Sequence, residues 1–102
     1  MKKIINGKMY NTETAKEVAT WSNSYNFDDF NYCEETLYKK KTGEYFLYGM
    51  GGALSKYARS CGSNGSSGGS EFVPLSENEA KEWMERYADA EDYIAELGEV
   101  EE

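Results

Sequence analysis

Histidine is missing from this 102-residue sequence, proline occurs once and cysteine only twice. Without histidine there is no Ser-His-Asp or Cys-His arrangement and no imidazole metal site. The side chain that most often moves protons near neutral pH is also lost. Cys33 and Cys61 are too few for a secreted disulfide framework or a four-ligand zinc site. They read as free thiols, because a bridge between them is disfavoured in a reducing cell. No stretch approaches the ~18 apolar residues of a membrane span. Met1-Lys2-Lys3 opens as a signal peptide does, but the apolar part ends after Ile4-Ile5, so the expected location is the cytoplasm. A basic excess is lacking too: 11 Lys+Arg stand against 19 Asp+Glu, for a net charge of -8. That balance argues against direct binding to nucleic acid or to an anionic membrane, since phosphate recognition needs a basic footprint. Together these absences favour a binding protein over an enzyme, with no catalytic residue, cofactor or metal expected.

The acidity is localised. Residues 1–76 hold 8 acids and 9 bases, whereas residues 77–102 hold 11 acids and only Lys81 and Arg86 as bases. Such asymmetry marks either an acidic interaction element or a solvated helix face with a frayed tail.

Periodicity and turn chemistry give the organisation. Asn6-Gly7 between Ile4-Ile5 and Met9-Tyr10 suits a type I′ hairpin turn. Asn11 reads as a helix N-cap. Ala15, Val18, Ala19 and Ser22, bordered by Trp21, then predict a helix over 12–21. Residues 22–31 form a polar loop whose Tyr25, Phe27 and Phe30 are large enough to pack. Two strand-like runs, 32–39 and 44–49, flank Lys40-Lys41-Thr42-Gly43, a hairpin turn with Gly in the left-handed position. Residues 55–59 read as a further strand, with a short helical turn as the alternative. The Gly/Ser stretch 61–70 reads as a mobile loop, and 71–75 as a short edge strand containing Pro74. Ser76-Glu77-Asn78-Glu79 is a capping box. It opens either one helix over 77–97 or two helices broken near Ala88-Asp89, with Gly98 as C-cap. The expected fold is α+β: a small antiparallel sheet of four to five strands, with an N-terminal helix and a longer C-terminal helix packed on it. Residues 1–98 form one domain and 99–102 a frayed acidic tail.

Glu82, Glu85, Asp89, Asp92 and Glu96 recur every three or four residues and predict one outer stripe, with Glu91 and Glu99 beside it. Carboxylates along a rod imitate a phosphate backbone, which carries one charge per about 1.7 Å of duplex axis. An ordinary solvated helix would mix in lysines at i+4, whereas here, beyond Lys81 and Arg86, like charges repeat. The aromatic side chains are the second signal. Tyrosine occurs 9 times, more than so small a core can hide, and Tyr25, Tyr38 and Tyr48 are the candidate contacts. Weaker signals carry little. The Gly-rich segment 62–69 lacks the GxxxxGK[ST] pattern. Asp28-Asp29 and Glu34-Glu35 have no matched cluster, and strand alternation sends Glu34 and Glu35 to opposite faces. Lys39-Lys40-Lys41 is a hairpin-tip charge run.

Three segments carry a resemblance: Lys3 to Ala15 (KIINGKMYNTETA), Glu34 to Gly52 (EETLYKKKTGEYFLYGMGG) and Ser76 to Trp83 (SENEAKEW). In these the chain resembles short acidic proteins from phages and mobile elements of Gram-positive bacteria, some of which look like anti-CRISPR proteins acting on a type II effector nuclease. The resemblance implies an inhibitor whose partner is a host defence nuclease, and it implies no particular contact residue. The chain would act as a monomer or homodimer. Two other readings stay open: a small-molecule or nucleotide-binding module that sequesters a defence signal through the Gly/Ser loop and aromatic stacking, and an adaptor that self-associates through Trp83, Tyr87, Ile94 and Leu97.

Overall fold

The computed structural model describes residues 1–60 and 65–101. In chain order the elements are β1 (Lys2–Ile5), β2 (Lys8–Asn11), β3 (Lys16–Ser22), β4 (Cys33–Lys39), β5 (Tyr45–Gly51), β6 (Arg59–Ser60), β7 (Ser66–Ser67), β8 (Gly69–Leu75), α1 (Glu77–Tyr87) and α2 (Ala90–Leu97). The main sheet is antiparallel in the order β3-β4-β5-β8, and β1-β2 and β6-β7 form separate two-stranded ribbons. This is an α+β arrangement, and no helix among the described residues is long and apolar enough to cross a membrane.

Turn residues set the first and central hairpins. Asn6 and Gly7 both take positive φ, 50° and 79°, as a type I′ turn demands. Gly43 closes the β4–β5 turn at φ 94°. Register then follows alternation, with Leu37 facing both Ala19 and Leu47, and Leu47 facing Val73. Pro74 lies on β8, an edge strand, where its missing N–H costs the ladder least.

Both faces of the sheet are covered. On one, Ala19, Leu37, Tyr45 and Leu47 pack against Ala80, Trp83 and Met84 of α1 and Tyr93 of α2. On the other, Phe46 and Phe72 pack with Tyr10 of the β1-β2 hairpin, and Tyr38 and Tyr48 border them. The Tyr10 ring meets Phe46 edge-on at 5.4 Å. The hairpin therefore persists by docking its aromatic residue, as a two-stranded ribbon must. Phe46 and Leu37, fully buried from opposite sides, each contribute roughly 1.5–3 kcal/mol relative to exposure.

Three expectations are corrected. The helix over 12–21 does not form. Asn11 does initiate a turn: its Oδ1 accepts from the Glu13 N–H at 2.9 Å and its carbonyl from the Ala15 N–H at 3.1 Å. That turn ends after one round, and β3 then pairs with β4, so both long helices lie C-terminal to the sheet. Val18, Thr20 and Trp21 lose χ1 freedom in a helix and fit a pleated surface well, and the edge of β4 offers the hydrogen bonds. Residues 55–59 are not a strand. Ser55 and Ala58 donate to Gly52 and Ser55 carbonyls in consecutive turns, and only Arg59–Ser60 pairs, with β7. Part of the Gly/Ser stretch is ordered as β7 and the start of β8, while Cys61 to Asn64 lie outside the described residues. Cys33 is a buried free thiol in β4.

Candidate functional site

The acidic C-terminal segment folds as two helices. In the capping box at the start of α1, Ser76 Oγ accepts from the Glu79 N–H at 3.1 Å and Glu79 Oε1 accepts from the Ser76 N–H at 2.8 Å. The buried stripe Ala80, Trp83, Met84 fixes the inner face of α1, which turns Glu82 and Glu85 outward. The break falls at Ala88 and Asp89, both extended (ψ 156° and 153°). Asp89 is the N-cap residue of α2, and Glu91 and Asp92 lie in its first turn, where the helix dipole favours negative charge. Glu82 and Glu85 lie beyond the first turn of α1; Arg86 and Lys81 stand four residues from them, but neither pair closes to a salt bridge.

Of the five carboxylates in the predicted stripe, four are exposed: Glu82, Glu85, Asp89 and Asp92. Among the described residues none of the four has a lysine or arginine within salt-bridge distance. Glu85 accepts a hydrogen bond from Tyr93 Oη at 3.3 Å. Of the two readings of 77–97, the structure shows the broken one, so the stripe runs over two segments meeting at an elbow.

Glu96 is corrected as well. Its side chain is only 4% exposed and is turned onto the sheet, where Lys39 Nζ lies at 2.9 Å and Lys16 Nζ at 3.6 Å. Tyr45 Oη donates to it at 2.6 Å. Burial pushes this carboxyl up, but the bonds from Tyr45 and Lys39 and the charge of Lys16 outweigh that and hold it below the usual carboxylate value. Burial and the neighbouring carboxylate push Tyr45 up to about 12. Glu96 is thus an anchor of α2 and offers no free charge to a partner.

A second inward carboxylate escaped the reading of the sequence. Glu35 in β4 is fully buried. It accepts from Trp83 Nε1 of α1 at 3.0 Å and pairs with Lys56 Nζ at 2.6 Å. It also accepts a short hydrogen bond from Tyr57 Oη. Burial raises its pKa, yet Lys56, Tyr57 and Trp83 together hold it below the ordinary value. Burial and the same contact push the Tyr57 phenol well up. Gly49, directly across from Glu35 in the register, makes room for this: a Cβ there would overlap the Tyr57 ring. The available signal was the alternation Cys33, Glu35, Leu37, which aims a carboxylate into the core and so demands partners. Glu34 points to the other face, as alternation predicts, and accepts from Tyr32 Oη at 2.7 Å.

The aromatic candidates divide. Tyr25 is 50% exposed in the β3–β4 loop. Tyr38 stacks on Phe46 at 5.2 Å and Tyr48 meets Phe72 edge-on at 4.9 Å, so both are half-buried packing residues under the hairpin. Phe27 and Phe30, expected to pack, are instead more exposed than Tyr25. The structure does not bring Tyr25 together with the acidic helices in any shared contact among the described residues. The face proposed for self-association is largely occupied: Trp83 is buried, Tyr87 and Leu97 are half-buried, and only Ile94 is exposed.

No family model, curated protein or solved structure matches this chain.

Proposed function

We propose that the protein is an anti-defence inhibitor, of the anti-CRISPR kind, that sets the outer surface of its helical pair against a basic nucleic-acid-binding surface of a host effector nuclease. It is a binder and not an enzyme, acting in the cytoplasm of the bacterial host on a nuclease for which the type II class is the favoured candidate. One observation carries the reading. Glu82, Glu85, Asp89 and Asp92 are exposed without a basic partner among the described residues, while Lys16, Lys39 and Lys56 are engaged by inward carboxylates. A surface of that kind attracts a basic channel over distance and competes with its phosphate ligand.

The test is competition between the protein and target DNA for a purified type II effector–guide complex, with the variant E82Q/E85Q/D89N/D92N as comparator. Exposed ion pairs contribute about 0.2–1 kcal/mol each, so the loss of four is expected to weaken inhibition at least about fourfold. Inhibition by the wild type should also weaken as salt rises. Equal inhibition by wild type and variant overturns charge mimicry.

A further inference from the structure

At the elbow of the two helices, with Val100 of the tail contributing to its lining, lies an open apolar groove of about 430 Å³. This lies within the range of small ligand pockets, roughly 300–1,000 Å³. It is lined by buried Met84 and Tyr93, by Ala88 and Ala90 at the elbow, and by Ile94 and Val100. Ile94 and Val100 are 41% and 60% exposed, apolar surface that an amphipathic helix and an acidic tail have no folding reason to show. Glu85 lines the groove, and in sequence Asp89 falls between its two alanines, Glu91 follows Ala90, and Glu99 and Glu101 flank Val100, all of them exposed. Among residues 82–101 the only base is Arg86.

We propose that this groove receives an apolar side chain carried on a basic helix of the partner protein. The inference rests on the inhibitor reading above and deepens it, because the partner is then anchored as well as attracted. Charge selects the occupant. A second copy of this chain would press one acidic segment against another, and an anionic membrane or a phosphate ligand would be repelled by the same rim. A helix bearing Lys or Arg around a Leu- or Phe-like residue satisfies both the rim and the floor, which is the helix-in-groove mode of recognition. A buried apolar anchor inside a charged rim is also where interfaces concentrate their binding energy.

The experiment uses the full chain and three synthetic amphipathic peptides of about 15 residues, long enough to hold a helix when bound. One is built of Lys and Leu. The second keeps every Lys and replaces Leu by Ala. The third keeps Leu and replaces Lys by Glu. Titration calorimetry and methyl NMR are expected to show the Lys/Leu peptide binding at least about tenfold more tightly than the Lys/Ala peptide. The shifts should be centred on Met84, Ile94 and Val100, with no binding of the Glu/Leu peptide. I94E, at an exposed position, should remove the advantage of the Lys/Leu peptide over the Lys/Ala peptide. A90W, which fills the elbow, should do the same should I94E unfold. Equal binding of the Lys/Leu and Lys/Ala peptides overturns the groove, as does equal binding of the Glu/Leu peptide or methyl shifts centred on exposed Leu54, whose N–H donates to the Phe30 carbonyl. Sedimentation showing a dimer that I94E dissolves assigns the groove to a second copy and also overturns it. The nuclease takes no part in these titrations. Failed competition with a retained Lys/Leu preference therefore refutes the nuclease and keeps the groove, and charge-dependent competition without that preference does the reverse.

Discussion

Glu35 and Glu96 point into the space between the sheet and the helices, whereas Glu82, Glu85, Asp89 and Asp92 point away from it. The inward pair holds Lys16, Lys39 and Lys56 together with Tyr45, Tyr57 and Trp83. Each inward carboxylate ties one helix to the sheet, Glu35 to α1 through Trp83 and Glu96 to α2 from that helix itself. A buried carboxylate must have such partners, because desolvation alone would neutralise it. The outward four make no comparable demand. Carboxylates thus do two jobs, and the lysines paired with Glu35 and Glu96 are not placed to balance the charge left outside.

Removing the deeper inward carboxylate should have the largest effect. E35A leaves Tyr57 Oη and Trp83 Nε1 buried without their acceptor, and breaking a buried pair from one side costs about 3–5 kcal/mol. Lys56 is 59% exposed and can return to water, so the lower end, about 3 kcal/mol, is expected in urea unfolding. The same carboxylates should set the acid limb of stability. Both Glu35 and Glu96 are held below the ordinary value. Their contribution is full above the unfolded carboxyl pKa of about 4.3 and is lost as pH falls through the lower folded values. On the alkaline side Tyr45, raised to about 12, contributes below the unfolded tyrosine value of about 10 and loses that contribution as pH climbs past it. E35Q/E96Q should flatten the acid limb in a pH series of melting temperatures. An unchanged limb would place the acid sensitivity elsewhere.

Gly49 tests the geometry of the inward site without touching its charges. G49A puts a methyl group where the Tyr57 ring lies, and overpacking of this kind costs about 1–3 kcal/mol. Y57F/G49A should cost less than the sum of its parts, since the two changes act on one contact. Strict additivity would mean that Gly49 serves something other than that ring.

These inward contacts also show where sequence reading reaches its limit. Asn6-Gly7, Gly43 and the Ser76–Glu79 capping box are local, and each is found with the backbone it demands. The helix break at Ala88-Asp89 was one of two readings of the periodicity. Asn11 caps only one turn, because tertiary pairing with β4 outcompeted a weak small-residue stripe. The Glu35 cluster is joined by residues 22 and 48 positions away, so no local pattern announces it. Glu96 fits the outer stripe by spacing alone. Its orientation depends on Lys16, Lys39 and Tyr45 facing it from three different strands.

E96Q should fall between the extremes. Tyr45 keeps an acceptor, but Lys39 and Lys16 lose theirs, for about 1 kcal/mol in unfolding experiments, since both lysines reach solvent. E82Q is its control, at an exposed site expected to lie within about 0.5 kcal/mol of wild type. Equal costs at the two positions would erase the distinction between inward and outward carboxylates.

The smallest stability effect should come from neutralising all four outward carboxylates together. Asp89 and Asp92 lie at the start of α2, where each gains about 0.3–1 kcal/mol from the dipole. Against that, repulsion between like charges one turn apart costs about 0.2–0.5 kcal/mol per pair. These terms oppose each other, so E82Q/E85Q/D89N/D92N should melt close to wild type while its competition for the proposed nuclease partner falls at least about fourfold. A variant that stays folded and loses binding puts the acidity in service of a partner. One that gains stability and still binds shows that the like charges are merely tolerated, and the partner would then have to be sought through the apolar groove or the exposed aromatic loop.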